Sequence, residues 1–115
     1  MRVKRGVKAR RRRNKTLKRA KGYYSTGSRS FTIARERNDR ALAYAFRDRK
    51  VRKREFRALW IQRINAAVRP YGLNYSKFIN GVQKLNLGFD RKALSELAVL
   101  DPAGFKAVVD MVQKA

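Results

Sequence analysis

The stretch SFTIARERNDRALAYAFRDRKVRKREFRALWIQRINAAVR, residues 30–69, contains neither glycine nor proline. Its forty residues are rich in Ala, Arg, Leu, Lys and Glu, all of which favour the helix. Pro70 and Gly72 follow directly and are typical of a helix end. The stretch therefore predicts one continuous helix, which at 1.5 Å per residue would be roughly 60 Å long.

Basic side chains surround most of this predicted helix between residues 47 and 57. With Arg47 placed at zero and about 100° per residue, six further cations fall between roughly 140° and 340°. The remaining arc holds Asp48, Val51 and Glu55 among others. A helix that is merely solvated usually mixes acidic and basic residues on its surface. Because this segment does not, we predict that it contacts nucleic acid.

The charge of the whole chain is concentrated in the same half. The 115 residues include 31 Lys plus Arg and 8 Asp plus Glu, which gives a formal net charge of +23. Residues 1–58 hold 23 basic and four acidic residues, a net charge of +19, whereas residues 59–115 hold eight and four, a net charge of +4. Repulsion among so many positive charges destabilises a compact free chain. The charge therefore implies a polyanionic partner, with nucleic acid favoured over an acidic membrane. We therefore predict a basic helical RNA-binding extension at 1–58 and a globular α-helical domain at 59–115.

A second basic helix is predicted near the start of the chain. Residues 7–21 lack glycine and proline, and Gly22 follows where a helix would close. The segment has no apolar face, so we expect residues 1–58 to be largely disordered without a polyanion. The turn-rich sequence GYYSTGS separates the two helices. Its tyrosines, Tyr23 and Tyr24, either stack on exposed bases or anchor the turn, and the sequence favours neither alternative.

Apolar residues beyond residue 58 have the spacing of short helices that bury one face. Asn74 and Asp90 are expected N-caps, and Asp101 followed by Pro102 is a further helix start. No sustained alternation predicts a strand. The fold class is therefore all-α, a long basic extension followed by a small C-terminal bundle. The predicted core residues are Leu59, Trp60, Ile61, Ile64, Ala67, Val68, Phe78, Ile79, Val82, Leu85, Leu94, Leu97, Ala98, Val99, Phe105, Val108, Val109 and Val112.

The composition disfavours catalysis and membrane insertion. Cysteine and histidine are absent, the eight carboxylates are scattered, and the single glycines form no phosphate-binding loop. No apolar run has the length of an export signal or a membrane span. We therefore expect a soluble intracellular protein that is not an enzyme and that holds no cofactor and no metal.

RNA fits the pattern better than DNA. Arginine outnumbers lysine 19 to 12, and arginine combines bidentate phosphate contacts with stacking on bases. Aromatic residues interleave the basic run, and Phe56 falls among the cations of the helix, so we expect it to contact RNA. No helix-turn-helix pattern or heptad seam is evident. The alternative hypothesis is a sequence-tolerant DNA-compacting protein.

Four segments carry a family resemblance: ARRRRNKTLKRAKGYY at 9–24, YAFRDRKVRKREFRALWIQRINAA at 44–67, LNYSKFINGV at 73–82 and DRKALSELA at 90–98. Together they resemble the bacterial large-subunit ribosomal protein L20 family. The resemblance implies a ribonucleoprotein component that binds large-subunit ribosomal RNA directly and acts early in assembly of that subunit. It would lie in the cytoplasm, within bacterial ribosomes or those of the equivalent organellar compartment. Neighbouring large-subunit proteins are implied partners, and so is its own messenger RNA, because some members repress their own translation.

The resemblance also implies a set of RNA contacts. It places Asn74, Tyr75, Ser76 and Asn80 near the RNA, although helix capping alone would explain Asn74. No small residue or proline follows the first methionine, and residues 25–43 are more acidic than the family's usual connection. With the neighbouring basic residues and Phe56 included, the predicted RNA-binding residues are Arg2, Lys4, Arg5, Arg10, Arg11, Arg12, Arg13, Lys18, Lys21, Tyr23, Tyr24, Arg47, Arg49, Arg52, Lys53, Arg54, Phe56, Arg57 and Arg63.

Overall fold

The computed structural model describes residues 3–114, and this part of the chain is helical apart from short connections and contains no strand. The all-α prediction is confirmed. Two short 3-10 turns, Ser25–Ser28 and Arg69–Tyr71, lie between helices. The α-helices are α1 (Gly6–Arg19), α2 (Phe31–Val68), α3 (Tyr75–Lys84), α4 (Arg91–Leu100) and α5 (Pro102–Lys114).

The chain forms two compact units that divide between Lys50 and Val51. Helix α2 contributes residues to both units, and its bounds agree with the predicted stretch 30–69 to within one residue at each end. Helix α2 ends at Val68, and the 3-10 turn Arg69–Tyr71 that follows ends at Gly72, whose left-handed φ of 74° costs glycine little. The predicted division after Ala58, into a basic RNA-binding extension and a globular helical domain, stays a prediction.

The first unit buries small and polar groups instead of large apolar side chains. Ala20 and Ala34 are fully buried, Gly27 is also buried, and Asn38 is 7% exposed. The Asn38 amide Nδ2 donates to the main-chain oxygen of Thr16 at 2.8 Å, which ties α2 to the end of α1. Small residues allow close approach of the two backbones, but they bury little apolar area, so hydrophobic stabilisation of this unit is weak.

The second unit has a conventional apolar core at the end of α2. Ile64 and Val68 of α2 are fully buried, and the rings of Phe78 and Phe105 lie 5.5 Å apart between centroids. This is the bundle that the sequence predicts. The buried core cluster comprises Ile64, Val68, Phe78, Val82, Leu94, Phe105, Val108 and Val109.

The predicted caps start the bundle helices as expected. The Asn74 side chain accepts the Lys77 N–H at 2.9 Å, and the Asp90 side chain accepts the Ala93 N–H at 2.6 Å. Asp101 accepts the Gly104 N–H at 3.0 Å, and Pro102 is the first residue of α5. Each cap satisfies an amide that the helix itself leaves unpaired.

Part of the predicted core is wrong. Trp60 is only half-buried and packs near Phe56, with 6.4 Å between ring centroids, because it lies one turn before the buried end of α2. Val99 is 59% exposed, since it lies roughly 140° around α4 from the buried Leu94. Leu85 comes after the last turn of α3, and it and Leu59 are also exposed.

Candidate nucleic-acid interface

The predicted RNA-binding residues of the first unit are presented to solvent. Arg2 lies outside the described residues. Tyr23 is half-buried, whereas the Tyr24 ring is 86% exposed. The remaining members, all exposed, are Lys4, Arg5, Arg10, Arg11, Arg12, Arg13, Lys18, Lys21, Arg47 and Arg49.

The predicted residues of the second unit are exposed as well. They lie on successive turns of α2 before the apolar core begins at Ile64. Phe56 shares this surface and is 49% exposed. The exposed basic members are Arg52, Lys53, Arg54, Arg57 and Arg63.

A groove of about 530 Å³ runs between α1 and the start of α2 in the first unit. Its walls are brought together by the Asn38–Thr16 hydrogen bond, and the Arg13 guanidinium lies 5.7 Å from the centroid of the Phe31 ring. Asp39 is the carboxylate in its lining. The cations that line it are Arg5, Arg12, Arg13, Lys15, Arg19 and Arg35.

Three of these groove cations are absent from the sequence prediction: Lys15, Arg19 and Arg35. A signal for two of them, Arg19 and Arg35, exists in the sequence. Residues 5, 9, 12, 16 and 19 recur at helical spacing and share one face of α1, as do residues 31, 35, 38 and 42 of α2. What the sequence does not reveal is that these two faces oppose each other.

Few of the cations are neutralised by the chain itself. Within the described residues, the ion pairs of the first unit are Arg40 with Glu36 at 2.8 Å and Arg47 with Asp48 at 2.7 Å, both exposed to solvent. The hydrogen bond and the charge of Asp48 raise the pKa of Arg47 above its ordinary value. Within residues 3–114, the other predicted cations have no carboxylate within ion-pair distance. Exposed pairs contribute little stability in any case.

Aromatic rings lie among the exposed cations of α2 in the first unit. The Arg47 guanidinium stands 4.7 Å from the centroid of the Tyr44 ring, and Lys50 Nζ stands 4.5 Å from that of Phe46. Both rings are about half exposed. They are placed where a base could stack on them and where a cation could reach the adjoining phosphate.

The bundle carries a smaller polar surface. Asn74, Ser76 and Asn80 are exposed, and Tyr75 is half-buried with its hydroxyl accepting from Arg91 Nε at 2.8 Å. The hydrogen bond from the Lys77 N–H to the Asn74 side chain supports helix capping as the role of Asn74. A shallow pocket of about 270 Å³ is lined by Arg57, Trp60, Asp90, Arg91 and Lys92.

Other kinds of site find no support in the part of the chain that the structure describes. Histidine, cysteine and carboxylate side chains are nowhere grouped there so as to hold a metal ion. Among the described helices, none combines the length and the apolar character that crossing a membrane requires.

Fold and surface together define a class of protein: a strongly basic, all-α chain whose cations are displayed on helices instead of being paired internally. The family model described as Ribosomal protein L20 matches residues 2–108. The chain belongs to this family, as the resemblance implied, and the family is structural and non-enzymatic.

Curated relatives agree over nearly the full length. The chain is 62% identical over 109 residues to the large ribosomal subunit protein bL20 of Syntrophotalea carbinolica, covering 95% of this chain and 92% of the relative. It is 61% identical over 112 residues to bL20 of Geobacter metallireducens, covering 97% and 96%. The protein of the same name from Methylobacterium nodulans is 55% identical over 114 residues, covering 99% and 91%.

Proposed function

We propose that this chain is a structural constituent of the large ribosomal subunit, located in the ribosomes of the cytoplasm, and that it binds large-subunit ribosomal RNA directly. One observation carries the proposal: in the described range 3–114, basic side chains of both units are exposed and, for the most part, have no acidic partner. Neighbouring large-subunit proteins are then further partners.

The physical basis of binding is phosphate neutralisation. Each basic side chain that meets a phosphate releases condensed counterions, so affinity falls steeply as salt rises. Arginine adds bidentate geometry at phosphate oxygens. The groove between α1 and α2 offers five arginines and one lysine on two facing walls, which suits a phosphate backbone that enters between them.

An early role in assembly is consistent with the weak core of the first unit. Because that unit buries only small or polar groups, its ordered structure depends on neutralisation of its positive charge by RNA. A protein segment that orders together with RNA can bind before the RNA is compact. It can then hold converging RNA helices together. Omission of the chain from reconstitution of the subunit should therefore block an early intermediate; normal early intermediates would contradict this role.

RNA and DNA binding are distinguished by filter binding of the full chain at moderate salt. We expect tighter binding to a folded fragment of large-subunit ribosomal RNA than to duplex DNA of equal length. Equal affinities would contradict the proposal and favour the DNA-compacting alternative. Crosslinking followed by RNA mapping would then identify the helices contacted.

A substitution in the groove tests the role of its cations. Arg12→Gln should weaken RNA binding and reduce the slope of log affinity against log salt by about 1, because one phosphate contact is lost. The matched control is Lys106→Gln, which removes one exposed charge from α5, outside the predicted interface. Equal effects of the two substitutions would show that only net charge matters.

Its own messenger RNA is a further proposed partner, supported by the family resemblance. The same binding assay, with the leader of that transcript as probe, should give an affinity close to that for the ribosomal fragment. Binding no tighter than to an unrelated transcript would contradict this partner.

A further inference from the structure

The loop between α1 and α2 fixes the backbone of Tyr24 while leaving its ring in solvent. The Tyr24 carbonyl accepts two hydrogen bonds, from Arg37 Nη1 at 2.8 Å and from the Gly27 N–H at 3.2 Å. The ring nevertheless remains 86% exposed. A tyrosine that served only to anchor the turn would bury its ring, so this ring is left available for an external contact.

Gly27 makes that arrangement possible. A Cβ built on Gly27 would overlap the guanidinium and Cδ of Arg37, so a larger residue would displace the Arg37 side chain. The neighbouring Ser25 has a left-handed φ of 55°, which is unusual for a residue other than glycine. The loop therefore has a defined conformation in which the side chain of Arg37 fixes the position of the Tyr24 backbone.

An open pocket of about 410 Å³ adjoins this loop, within the range of roughly 300–1,000 Å³ that is usual for ligand sites. Three aromatic residues, Tyr23, Tyr24 and Tyr44, contribute to its lining. Arg37 and Arg40 also line it, and Arg47 stands beside Tyr44. We call it the tyrosine pocket; it lies entirely within the first unit.

We propose that the tyrosine pocket receives a single unpaired base of the bound RNA, stacked on an exposed tyrosine ring, with the neighbouring arginines contacting the flanking phosphates. The inference deepens the proposed function and rests on it. Flat aromatic faces bordered by guanidinium groups match a nucleotide, which offers a π-face next to a negative charge. Arg40 and Arg47 are already paired with Glu36 and Asp48, so Arg37 is the pocket arginine that has no carboxylate partner within residues 3–114. An apolar protein side chain would match the rings but would leave Arg37 without a counter-charge.

The test uses the full chain and an RNA hairpin that carries one unpaired 2-aminopurine, whose fluorescence falls when it stacks on an aromatic ring. At saturating protein the wild-type chain should quench this fluorescence. Tyr24→Ala and Tyr44→Ala should each weaken the quenching and reduce affinity by about tenfold. Tyr24→Phe keeps the ring and should retain both properties.

The matched control is Phe89→Ala, which removes an exposed ring of the second unit that lies outside the predicted interface and does not line the pocket. It should leave the quenching unchanged. A hairpin without the unpaired base should bind wild type about tenfold more weakly, and Tyr24→Ala should abolish that difference.

The outcomes separate the two proposals. RNA binding without quenching, or quenching that Tyr24→Ala leaves intact, would contradict base binding in the tyrosine pocket. Either result would leave the proposed binding of ribosomal RNA unaffected. Quenching lost equally in Phe89→Ala would also contradict the assignment to this pocket. Failure of wild type to bind any RNA probe would overturn both.

Discussion

At the scale of single residues, polar side chains are buried in each unit with different consequences. Asn38 in the first unit is satisfied, because its amide donates to the Thr16 carbonyl. Ser95 in the second unit is fully buried, and its hydroxyl has no hydrogen-bond partner among residues 3–114. A buried hydroxyl without a partner has lost its water hydrogen bonds and gained none in return. We therefore expect the buried Ser95 hydroxyl to lower the stability of the bundle.

Replacing this hydroxyl should stabilise the bundle. We expect Ser95→Ala to raise the free energy of unfolding by about 1 kcal/mol, because the desolvation penalty disappears and alanine favours the helix. Urea denaturation followed by Trp60 fluorescence measures the change. Ser76→Ala, at an exposed position of α3, is the control and should have a smaller effect. A lower midpoint for Ser95→Ala would show that the hydroxyl has a partner in solution.

At the scale of elements, the helices of the two units are held by different forces. Helices α3, α4 and α5 bury apolar faces against the end of α2. Helix α1 carries no buried residue and is attached chiefly through the contacts around Thr16 and Ala20. Isolated helices of this length are marginal in water, so the order of α1 depends on its surroundings.

A fragment of residues 1–58 should therefore show random-coil circular dichroism by itself. Like charges repel along both of its helices, and the fragment lacks the apolar residues that form the bundle core. Adding ribosomal RNA should produce helical dichroism, whereas an equal concentration of an uncharged polymer should not. Strong helicity of the free fragment would contradict coupled ordering.

At the scale of the whole molecule, the net charge of +23 acts in opposite directions on folding and on binding. In the free chain the cations repel one another and disfavour a compact state. In the complex the same cations supply the affinity. Salt screens both interactions, so its effects on the two processes should have opposite signs.

Raising salt from about 50 mM to 200 mM should increase the melting temperature of the free chain and weaken its RNA affinity by orders of magnitude. Calorimetry and filter binding at matched salt concentrations provide the two measurements. The variant Lys106→Gln should melt slightly higher at low salt with unchanged RNA affinity. If salt lowered the melting temperature of the free chain, charge repulsion would not be what limits its stability.

The amino-acid sequence by itself determined the helices, the caps and the cationic character of the chain, because each follows from local propensity, periodicity or composition. It predicted the bounds of α2 and the N-caps Asn74 and Asp90, and it predicted Ile64 and Phe78 as core residues. Only the tertiary structure decided which helix faces oppose each other. The groove cations, the exposure of Trp60 and the difference between Tyr23 and Tyr24 depend on contacts between residues distant in sequence, and one-dimensional patterns do not encode those contacts.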